Sequence, residues 1–248
     1  MKPVVLITGG SRGIGAATAL LAARQGFAVA VNYAHNASAA DAVVQQIRAE
    51  GGTAIAVQAD VAQEADIIAM FETLDATLGR LSALVNNAGV VDVASRVDAM
   101  SVARLKRMFD INLIAPMLCA REAVKRMSTL YGGTGGAIVN VSSVAAKVGS
   151  PGQYVDYAAS KGAMDTFTLG LAKEVATEGI RVNAVRPGII DTEIHASGGQ
   201  PNRARQMAAH LPMQRTGRAE EVAQSIVWLL SDAASYVTGA LLDVAGGR

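Results

Sequence analysis

The chain has 248 residues, 51% of them hydrophobic and 17% charged, with a net charge of +1, 25 glycines and a single cysteine. So even a charge balance, without a basic tail or stripe, argues against nucleic acid or an anionic membrane as partner, and one cysteine excludes a disulfide or multi-cysteine metal framework. The apolar run Val4–Ile7 is too short for a signal peptide and no run of about 18 apolar residues exists, so a soluble cytoplasmic protein is expected, with Cys119 as a core filler.

Val4-Val5-Leu6-Ile7 reads as a short buried strand, Thr8–Gly15 follows as a glycine turn, and Ala16 to Gln25 has helix-forming composition closed by Gly26. Strand, glycine turn and helix in that order are the context a dinucleotide site needs. The glycines Gly9, Gly13 and Gly15 are spaced Gly-x3-Gly-x-Gly. Such a turn lets backbone approach a pyrophosphate at the positive end of a helix, although an ordinary tight turn reads the same way. Phe27 to Val31 is the second strand. An acid just beyond it would favour a free ribose 2′-hydroxyl, but the sequence there is Asn32-Tyr33-Ala34-His35. Arg12, in the glycine turn, is placed to answer a 2′-phosphate, so NADP is expected over NAD.

Ser38 to Glu50 reads as a helix, Ala54 to Val57 as the third strand, and Asp60 beyond it as either an adenine contact or a cap for the next helix, Glu64 to Leu78. Leu81 to Val85 is the fourth strand, leading to Asn86-Asn87-Ala88-Gly89, small groups suited to a ligand-facing crevice. Val102 to Met127 is helical, interrupted near Asn112 and Pro116, and an amide among apolar neighbours such as Asn112 needs hydrogen-bond partners. Tyr131 to Gly136 reads as a plain loop, Ala137 to Val141 as the fifth strand, and Ser142-Ser143 lie at its carboxyl end.

The following helix runs to about Glu178 and carries Tyr157 and Lys161, four apart and therefore one turn apart on one face. A free tyrosine ionises near pH 10, and an adjacent ammonium favours the phenolate. With a serine hydroxyl nearby, the group suits proton transfer at a C=O/CH–OH pair. The same helix has a large apolar stripe (Met164, Phe167, Leu171, Val175) and, about 140° away, a small one (Ala159, Ala163, Thr166, Gly170). One should meet the sheet and the other allows close helix contact, as with another subunit. Ile180 to Val185 is the sixth strand, residues 191–212 have the polar, glycine-containing composition of a lid, Glu220 to Ser231 is helical, and Ala240 to Val244 is the seventh strand. His35, His195 and His210 show no ligand spacing and read as surface residues, and no metal site is expected. The alternation of strands and helices, without repeat or linker, implies one α/β domain over residues 1–248, a Rossmann fold with a doubly wound parallel seven-stranded sheet and helices on both faces.

Together these motifs resemble the classical short-chain dehydrogenase/reductase family, in order and along the whole chain. Thr8–Gly15 resembles its cofactor turn, Asn86–Gly89 its NNAG, and Tyr157–Lys161 its YxxxK. Ser143 precedes Tyr157 by fourteen residues, one more than the commonest spacing, which leaves Ser142 as the weaker alternative. The resemblance implies Asn112, Ser143, Tyr157 and Lys161 as catalytic residues: Ser143 orienting a carbonyl, Tyr157 carrying the proton, Lys161 lowering its pKa and bonding the nicotinamide ribose, and Asn112 holding a water that links Lys161 to solvent. It implies cofactor contacts from Gly9, Ser11, Arg12, Gly13, Ile14 and Gly15, then Asn32, Tyr33, Asp60 and Val61, then Asn87, Ala88 and Gly89, and from the turn of Pro187, Gly188, Ile190 and Thr192. A homotetramer without an active-site metal is also implied.

The nearest-looking subgroups are 3-oxoacyl-carrier-protein reductases and sugar dehydrogenases. A carrier-protein reductase needs basic docking residues, yet Glu178 stands where one is expected and Gly132–Gly136 holds no Lys or Arg. Opposed charge costs on-rate and affinity, which favours a ketone, sugar or polyol over a carrier-bound thioester. A nucleotide-sensing regulator without catalysis is the reading from another class, and the presence of both Tyr157 and Lys161 speaks against it. Val91, Val93, Val144, Ala145 and Tyr154 suggest a moderately apolar pocket.

Overall fold

The computed structural model describes residues 2–194, 198–200 and 202–248. Its seven strands, β1 (Val4–Ile7), β2 (Ala28–Tyr33), β3 (Thr53–Gln58), β4 (Ala83–Asn86), β5 (Gly136–Val141), β6 (Ile180–Pro187) and β7 (Leu241–Val244), form one sheet in the order β3-β2-β1-β4-β5-β6-β7. All neighbours run parallel, with Val5 of β1 opposite Val29 of β2 on one side and Ala83 of β4 on the other. Strand order reverses between β1 and β4, and a crevice opens there at the carboxyl ends.

The inner strands are continuous apolar runs because both faces are covered. Side chains alternate: Val5, Ile7, Val29 and Val31 point to one face, and Val4, Leu6, Ala28 and Ala30 to the other. On the first face lie α1 (Gly13–Arg24), α2 (Ala37–Ala49) and α9 (Ala219–Leu230), through residues such as Ala22, Ile47 and Ile226. On the second lie α3 (Glu64–Thr77), α5 (Ala115–Met127) and α7 (Val155–Glu174), the last preceded by the short α6 (Ala145–Val148), with Phe71, Leu74, Ala123 and Ala172 in the core. Burying one side chain of this size contributes about 1.5–3 kcal/mol. Cys119 is part of the second cluster, and burial pushes its thiol up to about 12.

Several expected boundaries move. The helical stretch before β5 is α4 (Val102–Phe109), a π-helical turn (Asp110–Ile114) and α5. The interruption is the π-helical turn around Asn112, and Pro116 stands in the first turn of α5. The helix carrying Tyr157 ends at Glu174 rather than near Glu178: residues 176–178 tighten into a 3-10 turn, and Gly179, at φ +77°, ends it. Asp60 does not cap α3, whose cap position is Gln63; its carboxylate instead accepts from the Ala62 N–H at 3.0 Å. The loop through Gly135 is tied down, with Gly135 N–H donating to Met127 O at 2.8 Å. Of the two stripes on α7, the large one packs toward the sheet, while Ala159, Thr166 and Gly170 are exposed.

Candidate active site

The glycine turn is built to lie flat. Gly9 sits at φ +59°, a left-handed conformation that glycine adopts freely, and Gly15 has no room for a side chain. A Cβ on Gly15 would stand 2.3 Å from Gly9 O and 2.6 Å from Asn87 Nδ2. Asn87 explains the crowding: its Nδ2 donates to Thr8 O and Gly9 O, both at 2.9 Å, pinning the end of β4 to the turn. Asn32 performs the matching task from β2. It is buried, accepts from Gly9 N–H at 3.1 Å and donates to Ala59 O at 3.0 Å. Asn32 therefore lies beneath the turn, not on the cleft wall where a ribose contact would put it. Helix α1 begins with no side-chain cap at Arg12, so its first N–H groups point into the cleft without an internal partner. Arg12 is exposed on the cleft rim beside Tyr33, His35 and Asn36.

The second half of the cleft carries the titratable groups. The Ser143 Oγ accepts from Ala145 N–H at 3.1 Å, and its hydroxyl acts on the Tyr157 phenol to lower its pKa. Ser142 is turned to the helix, donating to Lys161 O at 3.2 Å, so Ser143 is the serine at the tyrosine. Lys161 is buried, its Nζ donating to Val141 O at 2.7 Å and lying 5.7 Å from the Tyr157 ring centre. Burial pushes the Lys161 ammonium down to about 8, against the opposing charge of Asp165. Burial nevertheless raises the Tyr157 pKa, and Ser143 offsets that only in part. The expectation that Lys161 lowers the tyrosine's pKa is thus not met in this geometry. Lys161 directs its charge to a backbone carbonyl, and desolvation of the phenol dominates.

Asn112 is also buried behind the wall. Its Oδ1 accepts from Val90 N–H at 2.8 Å and its Nδ2 donates to Val90 O at 2.9 Å, fixing the loop that follows Gly89. Only Gly89 separates it from the lysine: a Cβ there would lie 3.3 Å from Asn112 Oδ1 and 3.6 Å from Lys161 Nζ. Two ion pairs hold this half in place. Arg104 of α4 makes a bidentate pair with the buried Asp156 at 2.7 and 3.2 Å, next to Tyr157, and Arg186 of β6 pairs with Asp165 at 2.8 Å.

Both halves face one cleft of about 670 Å³. Gly9, Ser11, Arg12, Gly13, Ile14 and Tyr33 line one side, with Asp60, Val61, Asn87, Ala88 and Gly89 across the strand ends. Ser143, Tyr157 and Lys161 line the cleft as well, and so do Pro187, Gly188, Ile190 and Thr192. Thr192 reaches the glycine turn itself: its Cγ2 is 3.2 Å from where a Gly13 Cβ would be. Of the expected site residues, only Asn32, Asn112 and Gly15 stand back from the wall. Of the expected pocket residues, Val91, Val144, Ala145 and Tyr154 line the cleft, whereas Val93 is exposed outside it. His35 is exposed at the cleft edge and His210 is exposed elsewhere, while His195 lies outside the described residues. Among the described residues no cluster of metal-ligating side chains exists, and no helix is long and apolar enough to cross a membrane. Sequence reasoning missed Arg203 and Arg248 on the wall and the Arg104–Asp156 pair, because each depends on contacts far apart in sequence.

Comparison with known proteins agrees with this architecture. A family model described as enoyl-(acyl carrier protein) reductase matches residues 9–248. An uncharacterised oxidoreductase, YgfF of Escherichia coli strain K12, is 57% identical over 99% of either chain. The crystal structure of a short-chain type dehydrogenase/reductase from Mycobacterium marinum superposes with a TM-score of 0.92 at 33% identity, over 99% of this chain and 94% of that one. A blue fluorescent protein from a metagenomic library, in complex with NADPH, superposes with a TM-score of 0.89 at 35% identity, over 99% and 97%. With its seven-stranded sheet and its match along nearly the whole length, the chain belongs to the classical short-chain dehydrogenase/reductase family of oxidoreductases.

Proposed function

We propose that this protein is an NADP(H)-dependent carbonyl reductase or alcohol dehydrogenase, acting on a ketone, sugar or polyol. The observation that carries the reading is that Ser143, Tyr157 and Lys161 line the same cleft as an uncapped helix start and the glycine turn. That cradle fits a dinucleotide, since a phosphate would meet free N–H groups and no side chains at Gly9 and Gly13. When bound, the cofactor supplies the hydride. Ser143 orients the substrate oxygen, and Tyr157 gives its hydroxyl proton to that oxygen as the carbonyl carbon becomes a secondary alcohol. A tyrosine kept neutral by burial suits proton donation, so reduction is favoured near neutral pH and oxidation requires more alkaline conditions. Lys161, buried near the ring and made more acidic by burial, passes a proton back to the phenolate and is left as the neutral amine until it takes a proton from solvent. Asn112 acts by holding Val90 and the wall beside Lys161.

Arg12 supports the phosphate-bearing cofactor: it is exposed on the rim near Tyr33, and no carboxylate follows β2 to select a free hydroxyl. Arg12→Ala should weaken NADPH binding at least tenfold more than NADH binding, and equal losses would sink the NADP assignment. Thr192, Glu193, Ile194, Gly198 and Arg203 line the cleft, and the described part of residues 191–212 is proposed as part of a lid. The exposed small face of α7 is proposed as a contact between copies in a tetramer, which sedimentation of the purified protein tests.

The carrier-protein reading is tested by NADPH oxidation on a panel of ketones, sugars and acetoacetyl thioesters, the last with and without carrier protein. Glu178 accepts a hydrogen bond from Ser128 Oγ, fixing a negative charge where a basic docking residue is needed. Turnover of free ketones or sugars without carrier dependence is expected. Carrier-dependent turnover would move the protein to a 3-oxoacyl-carrier-protein reductase, and NADPH binding without turnover of any carbonyl would favour a regulator.

A further inference from the structure

The Tyr157 end of the cleft carries two guanidinium groups that the proposed proton transfer does not use. Arg203 opens α8 (Arg203–Met207), and its guanidinium stacks 5.2 Å from the Tyr154 ring centre, at the start of the helix that carries Tyr157. Its hydrogen-bond partner is the neutral Gln200 Oε1 at 2.8 Å. Arg248 arrives from the other side. After β7 the backbone turns at Gly246 and Gly247, both at positive φ (+61° and +88°), and packs against Met213 and Pro212. That turn carries Arg248 back over the sheet edge into the cleft, where it is partly buried.

Neither guanidinium is paired with a carboxylate among the described residues. The other cleft charges do not supply one. Glu193 lies at the opposite end, its carboxylate 3.7 Å from the Cβ position of Gly13, and Asp60 sits beyond β3. Arg107, also on the wall, differs from Arg203 and Arg248 in being paired, with Asp92 at 3.5 Å. Two half-desolvated cations on one wall repel each other, and Arg203 is the charge that, with burial, lowers the Arg248 pKa. Holding like charges together is unfavourable unless an anion joins them, and a guanidinium fork matches a carboxylate or phosphate oxygen pair.

We infer that the natural substrate is an anion, an oxo or hydroxy acid or a phosphate ester, whose charged group is held by Arg203 and Arg248 while its carbonyl faces Ser143 and Tyr157. Val144 and Ala145 would flank the carbon chain between the two ends. The inference rests on the carbonyl-reductase reading for the position of the reacting group, but the anion site itself is tested separately.

The first measurement is calorimetric titration of the NADP+-loaded protein with two unreactive probes, glutarate and methylphosphonate. Binding of at least one is expected, weakened tenfold or more in Arg203→Gln and in Arg248→Gln, and partly restored by lysine at either position. Preference between the probes tells carboxylate from phosphate. The second compares NADPH oxidation with 4-oxopentanoate and its methyl ester, where kcat/KM should favour the acid by about tenfold or more and the ratio should fall toward one in either variant. Absence of probe binding, or binding indifferent to both variants, overturns the anion site. Probe binding with no carbonyl turned over leaves the anion site standing and overturns the reductase reading. Equal turnover of acid and ester, without probe binding, does the reverse.

Discussion

Lys161 gives a prediction that can be worked through from the structure. Its ammonium is buried, with one hydrogen bond to Val141 O, and its pKa falls from 10.5 to about 8. A drop of that size corresponds to roughly 3 kcal/mol of preference for the neutral amine. In the unfolded chain the lysine keeps its proton up to its ordinary value. Between pH 8 and 10 the unfolded state therefore binds more protons than the folded state, and stability rises with pH. The gain is complete above the unfolded pKa and is lost as pH falls through about 8. Tyr157 acts in the opposite sense but later: its pKa is raised, so its contribution falls away only above pH 10. Lys161→Met removes the titration. It also leaves Val141 O without its donor, a cost of about 1–3 kcal/mol that does not depend on pH. Urea unfolding of both proteins from pH 7 to 10, at one protein concentration, reads the difference. The wild type should gain roughly 2–3 kcal/mol on the variant across pH 8 to 10. Parallel curves would refute the claim that the buried lysine is held against its charge.

Three further outcomes follow from named contacts. Gly15→Ala should lower stability by about 1–3 kcal/mol despite alanine's better helix propensity, because its Cβ would displace Gly9 or Asn87; thermal unfolding checks this, and NADPH affinity should fall with it. Asp156→Asn leaves Arg104 partly buried without its counter-charge and should cost roughly 3 kcal/mol; a variant as stable as wild type in urea would show that the pair is idle. Carbonyl reduction should hold steady through neutral pH and decline as the Tyr157 phenol is lost at alkaline pH, whereas alcohol oxidation should climb with pH; initial rates in both directions, measured from pH 6 to 10.5, decide it.

Much of this was legible in the sequence, for a physical reason. The strands are short, largely apolar runs, and the parallel topology demands helices between them, so each of the seven strands was found, with ends shifted by up to two residues. The glycine turn, Ser143 and the Tyr157–Lys161 spacing are local patterns, and the fold brings them to one cleft. What sequence missed is long-range or depends on dielectric. Asn32 looks like a cofactor contact until β3 and the glycine turn close around it. The i,i+4 spacing of Tyr157 and Lys161 is real, but spacing alone does not show that Val141 O captures the ammonium or that burial outweighs charge on the phenol. Arg104 and Asp156 are 52 residues apart. Arg248 reaches the cleft only through the turn at Gly246 and Gly247, which no periodicity reveals.

The central claim is that Tyr157 transfers the proton that accompanies hydride transfer. The direct measurement is NADPH oxidation by the wild type and by Tyr157→Phe on the best carbonyl found in the panel, with NADPH binding titrated in both proteins. A fall in kcat of about 10²–10⁴ with NADPH affinity within twofold of wild type is predicted. A variant that keeps its rate would remove Tyr157 from the chemistry and contradict the assignment of the site.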